Sequence, residues 1–340
     1  MQQKSKIGVL LVNLGTPDSP SVPDVRKYLR EFLMDGRVID VPAVLRYILV
    51  NGIVAPFRAP KSAKIYKELW TERGSPLKFH GVATTELLQT ALGDDYDVKL
   101  AMRYQSPSID AGMQHFRMTG ASEIIVVPFF PQYASASTGS VFEKVMEIAS
   151  KWQTIPPIRF TYNFYQHPKF TQAFADAGNR FMAENTYDHV IFSYHGIPER
   201  HIRKGDCTGE TCKLGDCCKS ITPMNQFCYR SQCFETTKLI VEKMGLKEGT
   251  YTTSFQSRLG RDPWIKPYTD FVIKDLAKAG VKSVLAFSPS FVSDCLETTI
   301  EVGDEYKEIF EENGGHHWDL VESLNDKTMW IEILEDLVKK

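Results

Sequence analysis

The chain has no excess of charge of either sign: 40 Lys and Arg stand against 42 Asp and Glu among 340 residues. No basic stripe is present to hold a nucleic-acid backbone, so nucleic acid is not expected as a partner. It also lacks any run of the roughly 18 or more apolar residues needed to cross a bilayer. The nearest stretch, VPAVLRYILVNGIVAPF at 41–57, is interrupted by Arg46 and Asn51 and carries Pro56 near its end. Such a segment is either a buried helix or an exposed apolar lip that rests on a membrane surface or admits a flat, greasy ligand. A secretory leader is not expected either. The lysines of MQQKSKIGVLLVNLG run directly into a strand-like segment with no small-residue cleavage site, as expected of a cytoplasmic chain.

Several common chemistries are excluded by missing motifs. LGTPDSP lacks both the Walker lysine pattern and the GxGxxG spacing, so it is no phosphate cradle. FSYHG is not the G-x-S-x-G turn that exposes a nucleophilic serine. No cysteine pair has the tight C-x2-C spacing of a common zinc knuckle.

Cysteines are nonetheless crowded: six of the seven fall between Cys207 and Cys233, spaced C-x4-C-x4-C-C-x9-C-x4-C through Cys212, Cys217, Cys218 and Cys228. Thiolates are soft ligands suited to zinc or iron-sulfur centres. Four thiolates holding a [2Fe-2S] cluster is the first reading, with structural zinc and free or disulfide-paired thiols as the alternatives. Pairing into disulfides suits small secreted folds, which this chain does not resemble in length or start.

At 340 residues the chain exceeds the size at which one core usually keeps growing, so two domains are expected. Short β-branched runs at 7–15, 97–104, 122–130, 158–164, 189–196, 250–257 and 282–289 alternate with helical patterns. Helices are expected at 62–71, 110–117, 139–152, 168–184, 231–245 and 266–279. Continuous apolar strands alternating with helices read as α/β, with parallel sheets covered by helices on both faces. The domain change is placed at 165/166, with a last helix at 325–340. Four strands end in LGTPDSP, FFPQYASASTGS, YHGIP and FSPSFVSDCLET, and loops beyond the carboxyl ends of parallel strands are where such folds build their sites.

Those strand ends carry Arg103 and Tyr104, Tyr133, Ser137 and Thr138, His195, Gln256 and Arg258, Trp264, Asp294 and Glu297. A strand-end histidine takes a proton or a metal ion near neutral pH, and an acid such as Glu297 can hold its other proton or relay it. The plainer alternatives are a hydrogen-bonded core histidine and acids that cap the helix beginning near 295.

Seven segments in order resemble the ferrochelatase family: LLVNLGTPDSP with VRKYLREFLMDGRVID, RGSPL, MRYQSPSI, PFFPQYASASTGS, YHGIPERHIRKGD, FQSRLGRDPWIKPYT and PSFVSDCLETTIEVGDEYKEIFEENGG. The resemblance implies two similar Rossmann-like domains, 1–165 and 166–324, with the active cleft between them, a cleft lip at 41–57 and a C-terminal helix at 325–340. It implies insertion of Fe2+, as substrate, into a porphyrin, protoporphyrin IX in preference to coproporphyrin III. By position His195 matches the family's active-site histidine and Glu297 the glutamate facing it, the pair that handles metal and pyrrole protons. Arg103, Tyr104, Tyr133, Ser137, Thr138 and Trp264 are implied to line the porphyrin, while Asp294 and Glu301 match acidic positions on the metal path. The lip implies peripheral contact with the inner face of a membrane. Where many relatives continue KGD into PY, this chain carries an insertion at 207–228, which resembles a bacterial subset with an internal cluster. Its ligands would be four of Cys207, Cys212, Cys217, Cys218 and Cys228. A cobalt or nickel chelatase of another tetrapyrrole and a non-catalytic tetrapyrrole or metal binding protein are the competing functions.

Overall fold

A computed structural model describes residues 5–258, 260 and 262–340. The first four residues, on which the reading of the chain's start partly rests, lie outside the described residues. The strands are β1 (Ile7–Gly15), β2 (Tyr96–Tyr104), β3 (Glu123–Pro128), β4 (Ile158–Phe160), β5 (His189–His195), β6 (Tyr251–Gln256), β7 (Ser283–Phe287) and β8 (His317–Leu320). Within the sheets all described strand pairings are parallel, in two four-stranded sheets ordered β2-β1-β3-β4 and β6-β5-β7-β8. The second sheet thus repeats the connectivity of the first, and helices flank each, as the alternating pattern predicts.

The central strands are apolar without alternation because both faces are covered. Val9, Leu10, Leu11 and Val12 of β1 have no exposed surface, and neither do Ile191 and Phe192 of β5. One compact unit comprises the chain up to Phe130, Ala134–Tyr162 and Asn325–Lys340, and the other Pro131–Tyr133 with Asn163–Leu324. The stretch 131–133 goes with the second unit for a specific reason. Gln132 Nε2 donates to Thr236 Oγ1 at 3.0 Å, and the amide of Tyr133 donates to Gln232 Oε1 at 2.7 Å. The last helix, Thr328–Lys339, belongs to the first unit, with Trp330 fully buried edge-on to Phe129 at 5.3 Å.

Two features escape the sequence pattern. β8 is an edge strand of four residues, too short and too polar to stand out. The helix expected near 295 is a π-helix over Leu296–Glu305, wound with i to i+5 bonding, a rare geometry that is frequent at functional sites.

Candidate active site

His195 is the last residue of β5, half-buried after six buried residues. Its Nδ1 lies 2.6 Å from the carbonyl oxygen of Gly196. A carbonyl only accepts, so Nδ1 carries the hydrogen, and Nε2 of the neutral ring keeps its lone pair for a proton or a metal ion. Trp264 and Phe291 flank the ring, each with centroids 6.4 Å away. Gly196 is required here because a Cβ would meet the Gln256 carbonyl oxygen at 2.7 Å and the Trp264 ring at 3.2 Å.

Glu297 is the second residue of the π-helix, directly after Leu296. Its side chain bonds the buried Cys295 thiol, which burial and the nearby carboxylate push well up. Four residues on, the Glu301 carboxylate accepts from three donors: Gln256 Nε2 at 2.9 Å, Ser257 Oγ, and Tyr306 at 3.1 Å. Burial first, and then Glu301, raise the Tyr306 hydroxyl. Gln256 also donates to the Glu297 carbonyl at 2.8 Å, and its own oxygen accepts from Ser193 at 2.7 Å, which fixes the orientation of the amide. The acids of the π-helix therefore stand on a buried hydroxyl and amide network rooted in β5 and β6. Beside them Phe255, Gln256, Ser257, Arg258, Asp270, Glu301 and Tyr306 line a pocket of about 170 Å³. Arg258 is paired there with Asp270 at 2.7 Å. Asp294 does not cap the π-helix. Cys295 holds that position, and Asp294 Oδ1 accepts from the amide of Ser323 at 3.2 Å.

In the other unit Arg103 and Tyr104 end β2, and both are engaged with a residue that sequence reasoning missed. Arg103 donates to Asp35 Oδ2 at 2.7 Å and to Ser140 Oγ at 2.6 Å, and Tyr104 donates to the same Asp35 oxygen at 2.9 Å. Tyr104 has no exposed surface, so it serves here by holding Asp35 and Arg103 in place. The signal for Asp35 was weak, one of two acids in the segment FLMDGRVID, far from β2 in sequence. Burial pushes its carboxyl up, but Ser140, the Arg37 amide, Arg103 and Tyr104 together hold it below the usual 3.8. Asp35→Asn is expected to destabilise the protein by about 2 kcal/mol, since it leaves a mostly buried guanidinium unpaired. Urea midpoints of the two proteins measure this. Because the folded-state value is depressed, the contribution is complete above pH 3.8 and fades as pH falls further, so the gap between the proteins should close in acid.

The remaining positions are more dispersed. Tyr133 is half-buried, Thr138 is fully buried within a short π-helix over Ser135–Gly139, and Ser137 bonds the Ala134 carbonyl at 3.4 Å. Trp264 is half-buried in a bridge with Pro198, which follows His195 by three residues. At 41–57 much of the apolar surface faces outward: Val44, Tyr47 and Phe57 are 75%, 61% and 74% exposed, with Leu45, Ile48 and Ile53 also outward, while Val50 and Ala55 are buried.

The cysteines are all free thiols, which removes the disulfide alternative from the structure. Among the described residues no group of three His, Cys, Asp or Glu side chains converges tightly enough to enclose a metal ion. The thiols are nevertheless gathered. Cys217 and Cys218 sulfurs lie 3.8 Å apart, Cys218 bonds Cys228, and Cys212 lies within electrostatic reach of Cys217 and Cys218. The bond from Cys218, against the opposing effect of burial, lowers Cys228 to about 7, and the same bond raises Cys218. Cys207 is exposed, while Cys233 is buried against Tyr229.

A family model described as ferrochelatase matches residues 6–340. A ferrochelatase of Legionella pneumophila strain Lens is 45% identical over 333 residues, covering 98% of each chain. One from Coxiella burnetii strain Dugway 5J108-111 is 40% identical, covering 100% of this chain and 95% of that one. Among solved structures, SirB from Bacillus subtilis with Fe3+ has a TM-score of 0.55 at 11% identity, covering 98% of this chain and 94% of its own, a likeness of fold alone. Kinship of this degree along nearly every residue, with relatives of one kind, makes the chain a member of the ferrochelatase family.

Proposed function

We propose that His195 and Glu297 carry out in this chain the reaction of the ferrochelatase family, the insertion of Fe2+ into a porphyrin with release of two pyrrole protons, in heme biosynthesis. The observation that carries the assignment is the Nδ1 bond of His195 to the Gly196 carbonyl, which leaves Nε2 as a base of fixed orientation. Pyrrole N–H groups are very weak acids, and Fe2+ arrives hydrated. Insertion therefore needs a base for the protons and a weak, temporary ligand for the metal. Imidazole and carboxylate suit borderline-soft iron, and a weak site is what transfer requires. Asp294 and Glu301 continue the acidic path from Glu297, with Glu301 steadied by its three donors.

Arg103, Tyr104, Tyr133, Ser137, Thr138 and Trp264 are the proposed porphyrin-binding residues, the fully buried Tyr104 and Thr138 acting by shaping the wall behind the others. Since Arg103 is already paired with Asp35, it would offer a propionate only its remaining N–H groups, not an unpaired charge. Protoporphyrin IX is the proposed substrate ahead of coproporphyrin III. The outward apolar side chains at 41–57 support peripheral contact with a membrane surface, and among the described residues no helix is long and apolar enough to cross one.

Of the five candidate thiols, Cys212, Cys217, Cys218 and Cys228 are the proposed ligands of a [2Fe-2S] cluster, a reading supported by their soft-ligand chemistry and by the approach of Cys218 to Cys217 and Cys228, and one that requires the four side chains to close further around the group. When bound, such a cluster supplies one-electron chemistry, while the chain's own contribution is to tie the 207–228 segment to the following helix. Anaerobic assays with Fe2+ and each porphyrin, read by loss of porphyrin fluorescence, test the function. Rapid insertion into protoporphyrin IX is expected. Insertion of Co2+ or Ni2+ into a corrin precursor with none of Fe2+ into either porphyrin would overturn it.

A further inference from the structure

We propose that Tyr229 is a positioning residue for His195, and that through it the cysteine-rich segment is joined to the catalytic strand end. The proposal rests on the reading of His195 as the reacting base.

The connection can be followed atom by atom. Within the segment, the buried Asn225 donates through Nδ2 to the carbonyls of Cys217 and Ser220, at 2.5 and 2.9 Å. Its own carbonyl accepts from the amide of Cys228 at 2.8 Å. Cys228 is the N-cap of the helix Tyr229–Met244, and its carbonyl accepts the first helical bond, from Gln232 at 3.0 Å. Where the segment ends therefore decides where this helix begins. Tyr229, the first helical residue, is buried, and its hydroxyl donates to the His195 carbonyl at 2.7 Å. It also bonds Ser290, whose Oγ accepts from the His195 amide at 3.2 Å.

The peptide joining His195 to Gly196 is thus held on both sides, its oxygen by Tyr229 and its N–H by the Gln256 carbonyl at 2.8 Å. The Gly196 carbonyl that orients the imidazole belongs to the next peptide. A change in the first peptide plane displaces the acceptor that aims the ring. A tyrosine whose hydroxyl merely filled a buried bond would have no such consequence.

The test uses the full chain labelled with 15N-histidine. It has eight histidines, and His195→Ala assigns the resonance of His195. In Tyr229→Phe the His195 ring signals are expected to move while the others stay. Turnover is expected to fall about three- to tenfold at unchanged KM for porphyrin, the range set by one hydrogen bond. Ser290→Ala should move the same signals, and it decides the matter if Tyr229→Phe folds poorly. Cys218→Ser should move them too. Unmoved His195 signals in both Tyr229→Phe and Ser290→Ala would overturn the positioning role, and a wild-type spectrum in Cys218→Ser would overturn the link to the segment. If the signals move but His195→Ala keeps full turnover, positioning stands and the catalytic reading of His195 fails.

Discussion

Replacing His195 with alanine is expected to abolish metal insertion while leaving porphyrin binding largely intact. Loss of a general base typically costs about 10²-fold or more, so turnover above about a tenth of wild type would sink the role. Selectivity for chemistry over binding is expected because the imidazole sits at a strand end, its backbone held by Tyr229 and Ser290. Removing the ring leaves those bonds in place, so the fold of the strand end should survive. Steady-state insertion and a porphyrin fluorescence titration separate the two effects. Glu297→Gln keeps the shape of the side chain and loses its charge, and it should fall nearly as far. Normal turnover with normal metal affinity in that variant would reduce Glu297 to a residue of the helix start.

Cys228→Ser is expected to remove the visible chromophore and about two irons per chain. A hydroxyl cannot replace a thiolate ligand without loss of most of the site. The choice of position isolates that effect. Cys228 is a helix N-cap, where serine is a preferred residue, so the helix Tyr229–Met244 should not suffer from the substitution itself. Cys212→Ser should behave alike. Cys207→Ser and Cys295→Ser should leave the colour unchanged, the first because its thiol is exposed and the second because it is buried beside Glu297. Iron and sulfide assays on anaerobically purified protein decide. Zinc in place of iron would move the assignment to structural zinc, and no metal in the wild type would remove the cluster while leaving His195 and Glu297 untouched.

Much of this protein was legible in its sequence because parallel strands buried on both faces leave an unmistakable trace. The run IGVLLVNLG is β1 over Ile7–Gly15, and the helix read at 168–184 lies at Pro168–Glu184. A strand that must be apolar on both faces cannot be confused with a polar loop, and the residues that follow it fall at the end of the sheet where loops meet. For that reason His195 stands out in the sequence alone, at the end of the apolar run HVIFSYH. The crowding of cysteines was equally plain, since it needs no folding to be counted.

Other features depend on atoms brought together from distant positions. Asp35 and Arg103 are 68 residues apart, and no local pattern announces that one carboxylate will engage Arg103, Tyr104 and Ser140 at once. The π-helix at Leu296–Glu305 has the composition of an ordinary helix, and its wider winding is stabilised by what packs beneath it, Gln256 bonding the Glu297 carbonyl and the Glu301 carboxylate together. At 41–57 the sequence could not choose between a buried and an exposed apolar face, because apolarity alone does not say which side chains the rest of the unit covers. Local residue order determined the strands, the helices and the chemical kinds of group available. Tertiary packing decided which partners each group found, since a hydrogen bond or a buried charge depends on its neighbours in space, and those are set by the whole chain.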